Sequence, residues 1–140
     1  MHRELSRKNK QLPFSECIEI LKSENRGVLS VNGDNGYPYA VPMNHFYNED
    51  DGKIYFHSGK NGHRNDSLKS DNKVSFCVYD NGCVKEGDWA LTVRSVIVFG
   101  KAELVESIGL INNIMMKFSR KFTSDEEYIK KRLMLLPKIR

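Results

Sequence analysis

Apolar and polar residues alternate with a period of two from Lys73 to Tyr79, whereas Ile108, Ile111, Met115, Phe118 and Phe122 recur at spacings of 3, 4, 3 and 4. The first pattern predicts a strand with one face toward a core, the second an amphipathic helix. Upstream, Pro13-Phe14-Ser15 opens a helix, with Ser15 as its cap and Glu16 and Glu19 near its positive end. Cys17, Ile18 and Leu21 form its apolar stripe, and Gly27 closes the pattern. Val28 to Val31 reads as the first strand, Gly33 to Gly36 as a turn, and Tyr37 to Met43 as the returning strand. Pro38 and Pro42 lack N–H donors, so that strand belongs at an edge or breaks its ladder there.

Asn48 to Gly52 predicts a second turn and Lys53 to Ser58 a third strand. A polar loop follows from Ser58 to Asp66, then a short helix over Ser67 to Ser70 and the strand Lys73 to Tyr79. After a loop from Asp80 to Gly87, the longest extended stretch runs from Trp89 to Val105, with Gly100 marking a bend or bulge. Behind the helix of residues 108–122, Ser124 to Glu127 has the form of a capping box, followed by Ile129, Leu133 and Leu136 and closed by Pro137. Short antiparallel strands with helices at the ends predict an α+β fold, mostly β, built as a small barrel. Without repeats or a linker, residues 1–140 read as one domain.

Composition narrows the class. Hydrophobic residues make up 39% and charged residues 29%, the mix of an ordinary globular protein. No apolar run reaches the roughly 20 residues of a membrane-spanning helix, and the start MHRELSRKNKQ is no secretory signal. A cytoplasmic location is the expectation. The net charge of +4 is concentrated from Lys117 to Arg140, where eight basic residues face three acidic ones. These charges fall on the outward faces of helices, with no aromatic residues interleaved for base stacking, so a nucleic-acid partner is not expected. Cys17, Cys77 and Cys83 are odd in number and lack C-x-x-C spacing, which fits free thiols.

The sharpest chemical signal lies after the third strand. His57, Ser58, Lys60, Gly62, His63, Arg64 and Asn65 gather donors and positive charge where a helix opens. A helix N-terminus suits a phosphate, and Arg64 can grip one with two parallel hydrogen bonds. On composition alone this is a solvated loop, with a phosphate site the less common alternative. Neither a Walker loop nor G-x-G-x-x-G nor G-x-S-x-G occurs. His45, His57 and His63 lack the spacing of a metal motif, so no metal is expected.

The order of segments carries more than any one of them. Arg26 to Val31, Tyr39 to Asn44, Ile54 to Ser58, Gly62-His63-Arg64, Lys73 to Phe76 and Arg94 to Lys101 follow one another in a set that resembles the pyridoxamine 5′-phosphate oxidase-like split-barrel flavoproteins. Within that group the chain is most similar to the nitroimidazole-resistance branch, over roughly residues 14–136.

The resemblance implies a six-stranded split β-barrel that forms a homodimer and binds FMN in grooves between subunits. It implies that Val41, Pro42, Met43 and Asn44 line the isoalloxazine ring, that His57, Ser58, His63, Arg64 and Asn65 surround the phosphate, and that Ser95 and Val96 lie near the flavin groove. The function it implies is a flavin-dependent oxidoreductase. Electrons would pass from a donor such as a reduced nicotinamide to a small acceptor such as a nitroaromatic, with no side chain required as acid or base. The alternative is a carrier of flavin or haem without turnover, His45, His57 or His63 serving as axial ligand. Two departures stand out: Gly62-His63-Arg64 replaces the Gly-x-Lys of related sequences, and Arg140 falls where relatives begin a last strand. The substrate-binding segment of true pyridoxamine 5′-phosphate oxidases is also absent from the sequence, which argues against vitamin metabolism.

Overall fold

The computed structural model describes residues 3–57 and 63–125. The chain forms α1 (Phe14–Ser23), β1 (Arg26–Asn32), β2 (Pro38–Asn48), β3 (Lys53–Phe56), α2 (His63–Ser70), β4 (Lys73–Tyr79), β5 (Cys83–Val84), β6 (Leu91–Thr92), β7 (Ser95–Lys101) and α3 (Ile108–Phe122). Among the described residues, five antiparallel strands make one curled sheet in the order β3-β2-β1-β4-β7, and β5-β6 form a separate ribbon. The architecture is α+β and mostly β.

Register sorts the side chains into two faces. Val41, Leu29, Phe76 and Val98 stand side by side across β2, β1, β4 and β7, as do Tyr39, Val31, Val74 and Gly100. These rows face inward, where Leu29, Val31, Met43, Phe76, Val78 and Val96 meet Ile20 and Leu21 of α1 in one core. The intervening rows, Pro42-Val28-Cys77-Ile97 and Ala40-Ser30-Ser75-Phe99, face outward. Gly27 is required by close approach. A Cβ there would sit 2.5 Å from Phe76 Cζ and 2.7 Å from the Cys77 carbonyl oxygen.

β2 is long enough to play two parts. β3 pairs only with His45 to Asn48, so Pro38 to Asn44 has β1 on one side and no strand on the other among the described residues. His45 N–H donates to Asn25 O over 3.3 Å. By the two-residue alternation of antiparallel ladders, Pro42 and Pro38 then face away from β1, toward the open edge. The edge position expected of the prolines is realised.

Several local expectations change. α1 begins without a side-chain cap; the Pro13 carbonyl instead accepts from Glu16 and Cys17 N–H at 3.0 and 3.2 Å, and Ser15 lies inside the helix. α2 starts at His63, so it takes in residues 63–66 that the polar pattern assigned to a loop. The stretch from Trp89 onward is not one strand. Asp80 divides it: Oδ1 accepts from Arg94 N–H and Oδ2 from Arg94 Nε at 3.1 and 2.9 Å, which sets Arg94 between β6 and β7. Trp89 stands 94% exposed outside the strands. Gly100 pairs with Val74 in unbroken register, so no bulge forms there.

α3 matches the pattern over its full length, with Ser107 Oγ accepting from Leu110 N–H. Ile114 and Phe118 are its buried residues, while Ile108 at its exposed first turn is not in the core. The expected second C-terminal helix lies outside the described residues from position 126. Among the described residues, no helix is long and apolar enough to cross a membrane.

Candidate functional site

A groove of about 720 Å³ opens between the free edge of β2 and α3. Pro42, Met43, Asn44 and His57 line its sheet side together with Arg26. Four of the residues singled out in the sequence thus share one cavity. Their convergence follows from the strand ladder. His45 pairs with Phe56, so the next residues outward, Asn44 and His57, flank the same opening. Arg26 Nε donates to Asn44 Oδ1 over 3.1 Å, which leaves the Asn44 amide hydrogens as donors.

The helix wall is Met115, Phe118, Ser119, Phe122 and Thr123. Phe118 and Phe122 lie stacked with ring centroids 5.4 Å apart, and Phe118 also meets Phe46 at 6.3 Å. The groove therefore has a hydrogen-bonding wall from the sheet and an aromatic wall from the helix. The sequence marks Met115, Phe118 and Phe122 as an apolar stripe, but nothing in it distinguishes a stripe facing a core from one facing a groove. Arg26 carries no such mark beyond its place at the start of β1.

α3 is fixed in position by two lysines. Lys117 Nζ donates to Asp50 Oδ2 at 2.6 Å and to Asn48 Oδ1 at 3.4 Å. Lys121 Nζ donates to the carbonyl oxygens of Glu24 and His45 at 2.7 and 2.8 Å. Burial holds the Lys121 ammonium down, at about 8 against an ordinary 10.5.

The remaining expected site residues are placed differently. Val41 points into the core, beside the groove rather than in it. Ser95 and Val96 sit on β7, separated from β2 by β1 and β4, and the Val96 side chain belongs to the core. Ser58 and Lys60 lie outside the described residues. For His63, Arg64 and Asn65 the first turn of α2 is described, but not their side chains. His45 is fully buried, with Nε2 against Leu21 O at 2.8 Å, and is closed to any external ligand. Among the described residues, no group of three or more His, Cys, Asp or Glu is arranged to hold a metal ion.

With this geometry in view, the decisive comparison is by sequence: the family model described as Pyridoxamine 5'-phosphate oxidase matches residues 14–133. The chain belongs to this family. Among solved structures it is similar to a putative 5-nitroimidazole antibiotic resistance protein from Bacteroides thetaiotaomicron. That match has a TM-score of 0.73 and 22% identity, and covers 81% of this chain and 69% of that one. It is also similar to a conserved hypothetical protein from Mycobacterium tuberculosis, with a TM-score of 0.75, 21% identity, and 93% and 79% of the two chains covered. A FAD-binding protein from Mesorhizobium loti shares the fold with a TM-score of 0.56 at 24% identity, over 90% and 80% of the two chains. No curated protein matches by sequence. The family's split barrel is the fold seen in the curled sheet.

Proposed function

We propose that this protein is a homodimeric, FMN-binding oxidoreductase that passes electrons from a donor such as a reduced nicotinamide to a small acceptor such as a nitroaromatic. The observation that carries this reading is the groove itself. Pro42, Met43, Asn44 and His57 meet there, and in the sequence His57 directly precedes the basic segment that leads to α2. Membership of the family supports a flavin cofactor, and the Mesorhizobium neighbour is a FAD-binding protein. The Bacteroides neighbour, a putative 5-nitroimidazole resistance protein, supports the nitroaromatic class of acceptor.

The residues present fit such a group. The outward edge of β2 offers backbone carbonyls at Pro42 and Asn44 to the polar rim of a ring, and the Asn44 amide adds donors. Flavin supplies the redox chemistry when bound; the chain binds it, orients it and limits its contact with water. Arg64, His63 and Asn65, at the start of α2, together with Ser58 and Lys60, are assigned to the phosphate.

The places of Ser95 and Val96 support the dimer. Within one chain they lie on the opposite sheet edge from the groove, so they approach a flavin held by β2 and α3 only from a second copy. The outer sheet face offers the contact surface. Ile97, Phe99 and Tyr79 are 58%, 53% and 55% exposed there, an unusual concentration of apolar surface for a lone chain.

The test is to purify the protein and identify any bound chromophore by absorbance and by mass after denaturation. FMN, or stoichiometric uptake of added FMN, is the expected result. A Soret band would reassign the groove to haem, and colourless protein that refuses FMN would reject the proposal.

A further inference from the structure

Arg26 is the first residue of β1, the Cα partner of Asn44, and part of the lining of the β2–α3 groove. Its Nε is committed to Asn44 Oδ1 at 3.1 Å. That bond holds the guanidinium by one edge and leaves Nη1 and Nη2 as a fork of parallel donors. Among the described residues, no ion pair joins Arg26 to a carboxylate. The described lining of the groove contains no Asp, Glu or Lys, so Arg26 brings to it a fixed positive charge without an internal counter-ion. Across the cavity stand Met115 and the stacked rings of Phe118 and Phe122.

We propose that the groove selects small guests that carry one carboxylate on an apolar body, and that Arg26 is the residue that reads the carboxylate. A carboxylate offers two oxygens at the spacing of the guanidinium fork and a single charge for one cation to balance. A dianion would be left half matched, since no second fixed cation among the described residues lines the cavity. The apolar body packs against Met115, Phe118 and Phe122, in the usual division of a pocket between broad apolar contact and a few orienting polar groups. This names the class of the electron acceptor, and in that respect it rests on the flavin reading; the recognition of a carboxylate by Arg26 does not. It also separates this chain's guests from neutral nitro compounds, for which the fork has no anion to hold.

The experiment titrates the full chain, with and without added FMN, with 4-nitrobenzoate and its neutral isostere 4-nitrobenzamide, followed by amide ¹H–¹⁵N spectra. 4-Nitrobenzoate should give saturable shifts at Arg26, Asn44 and Ser119 and bind at least about tenfold more tightly than the amide. Arg26→Gln should bring the two probes to equal affinity. Arg26→Lys keeps the charge without the fork and should recover only part of the preference, which a purely structural role for Arg26 would not produce. The Arg26 side chain is exposed, and the rest of the spectrum reports that each variant is folded. Equal binding of the two probes to the native chain, a preference that survives Arg26→Gln, or shifts confined to α2 would overturn the proposal. FMN uptake is scored separately: a chain that takes up FMN without preferring the carboxylate refutes only this proposal, and one that refuses FMN yet shows the Arg26-dependent preference refutes only the flavin reading.

Discussion

His45 and Leu21 are joined by a buried hydrogen bond of 2.8 Å between the ring Nε2 and the backbone carbonyl oxygen. A carbonyl only accepts, so Nε2 carries the proton, and Nδ1 has no hydrogen-bond partner among the described residues. Burial first, then the Lys121 ammonium, push the ring to about 4 from an ordinary 6.5, against the opposing pull of the Leu21 carbonyl. Phe76 meets the same ring edge-on at 5.0 Å. The imidazole is therefore neutral at physiological pH.

Acid destabilisation follows from this group. Between pH 6.5 and about 4 the unfolded chain takes up a proton on His45 that the folded chain refuses. Stability linked to His45 is thus complete above pH 6.5 and is lost as the pH falls to about 4, by roughly 3 kcal/mol in all. Urea unfolding midpoints measured across this range should fall in the native protein. In His45→Phe, which cannot titrate, the slope should be shallower; an unchanged slope would place the acid sensitivity elsewhere.

Lys121 works in the same direction at higher pH. Its ammonium is held at about 8 by burial, so between pH 8 and 10.5 the unfolded chain binds the extra proton and stability gains with rising pH. The variant Lys121→Met should lack this gain in the same unfolding series. An identical alkaline profile in both proteins would refute the assignment.

At Gly27 the expected effect is steric. The nearest atoms to an added Cβ are an aromatic carbon of Phe76 and a backbone carbonyl, and the backbone cannot yield cheaply. Gly27→Ala should destabilise by about 1–3 kcal/mol through overpacking, read from thermal or urea unfolding. A neutral substitution would mean that Phe76 can move aside.

These energetic features were not legible in the sequence, although the elements largely were. The spacing from Ile108 to Phe122 gave the full extent of α3, and the alternation from Lys73 to Tyr79 gave β4, because each element buries one face. The stretch after Trp89 misled because its break depends on Asp80, a residue 14 positions before Arg94. For the site, Pro42, Met43, Asn44 and His57 could be named in advance from the order of segments. Their meeting with Phe118 and Phe122 could not, since it depends on how α3 crosses the open edge of β2.

Arg64 carries the prediction for the phosphate. Arg64→Ala should weaken FMN by at least about tenfold while changing riboflavin affinity little, because only FMN bears the phosphate. Titration of the two ligands by flavin fluorescence decides it, and equal losses would contradict the assignment.

Ile97 carries the prediction for the dimer. Ile97→Asp puts a charge in the middle of the exposed apolar face beside Cys77. Size-exclusion chromatography with light scattering should show dimers for the native chain and monomers for the variant, with a parallel loss of FMN affinity. A native monomer that binds FMN fully would remove the second copy from the site.

Lys117, through Asn48 Oδ1, and Lys121, through the His45 carbonyl, fasten α3 to the strand that forms the facing wall of the β2–α3 groove. These bonds tie the helix wall of the groove to its sheet wall at two points one helical turn apart. Rotamer changes in the unbranched Met115 and the partly exposed Phe122 give that helix wall latitude for guests of different outline.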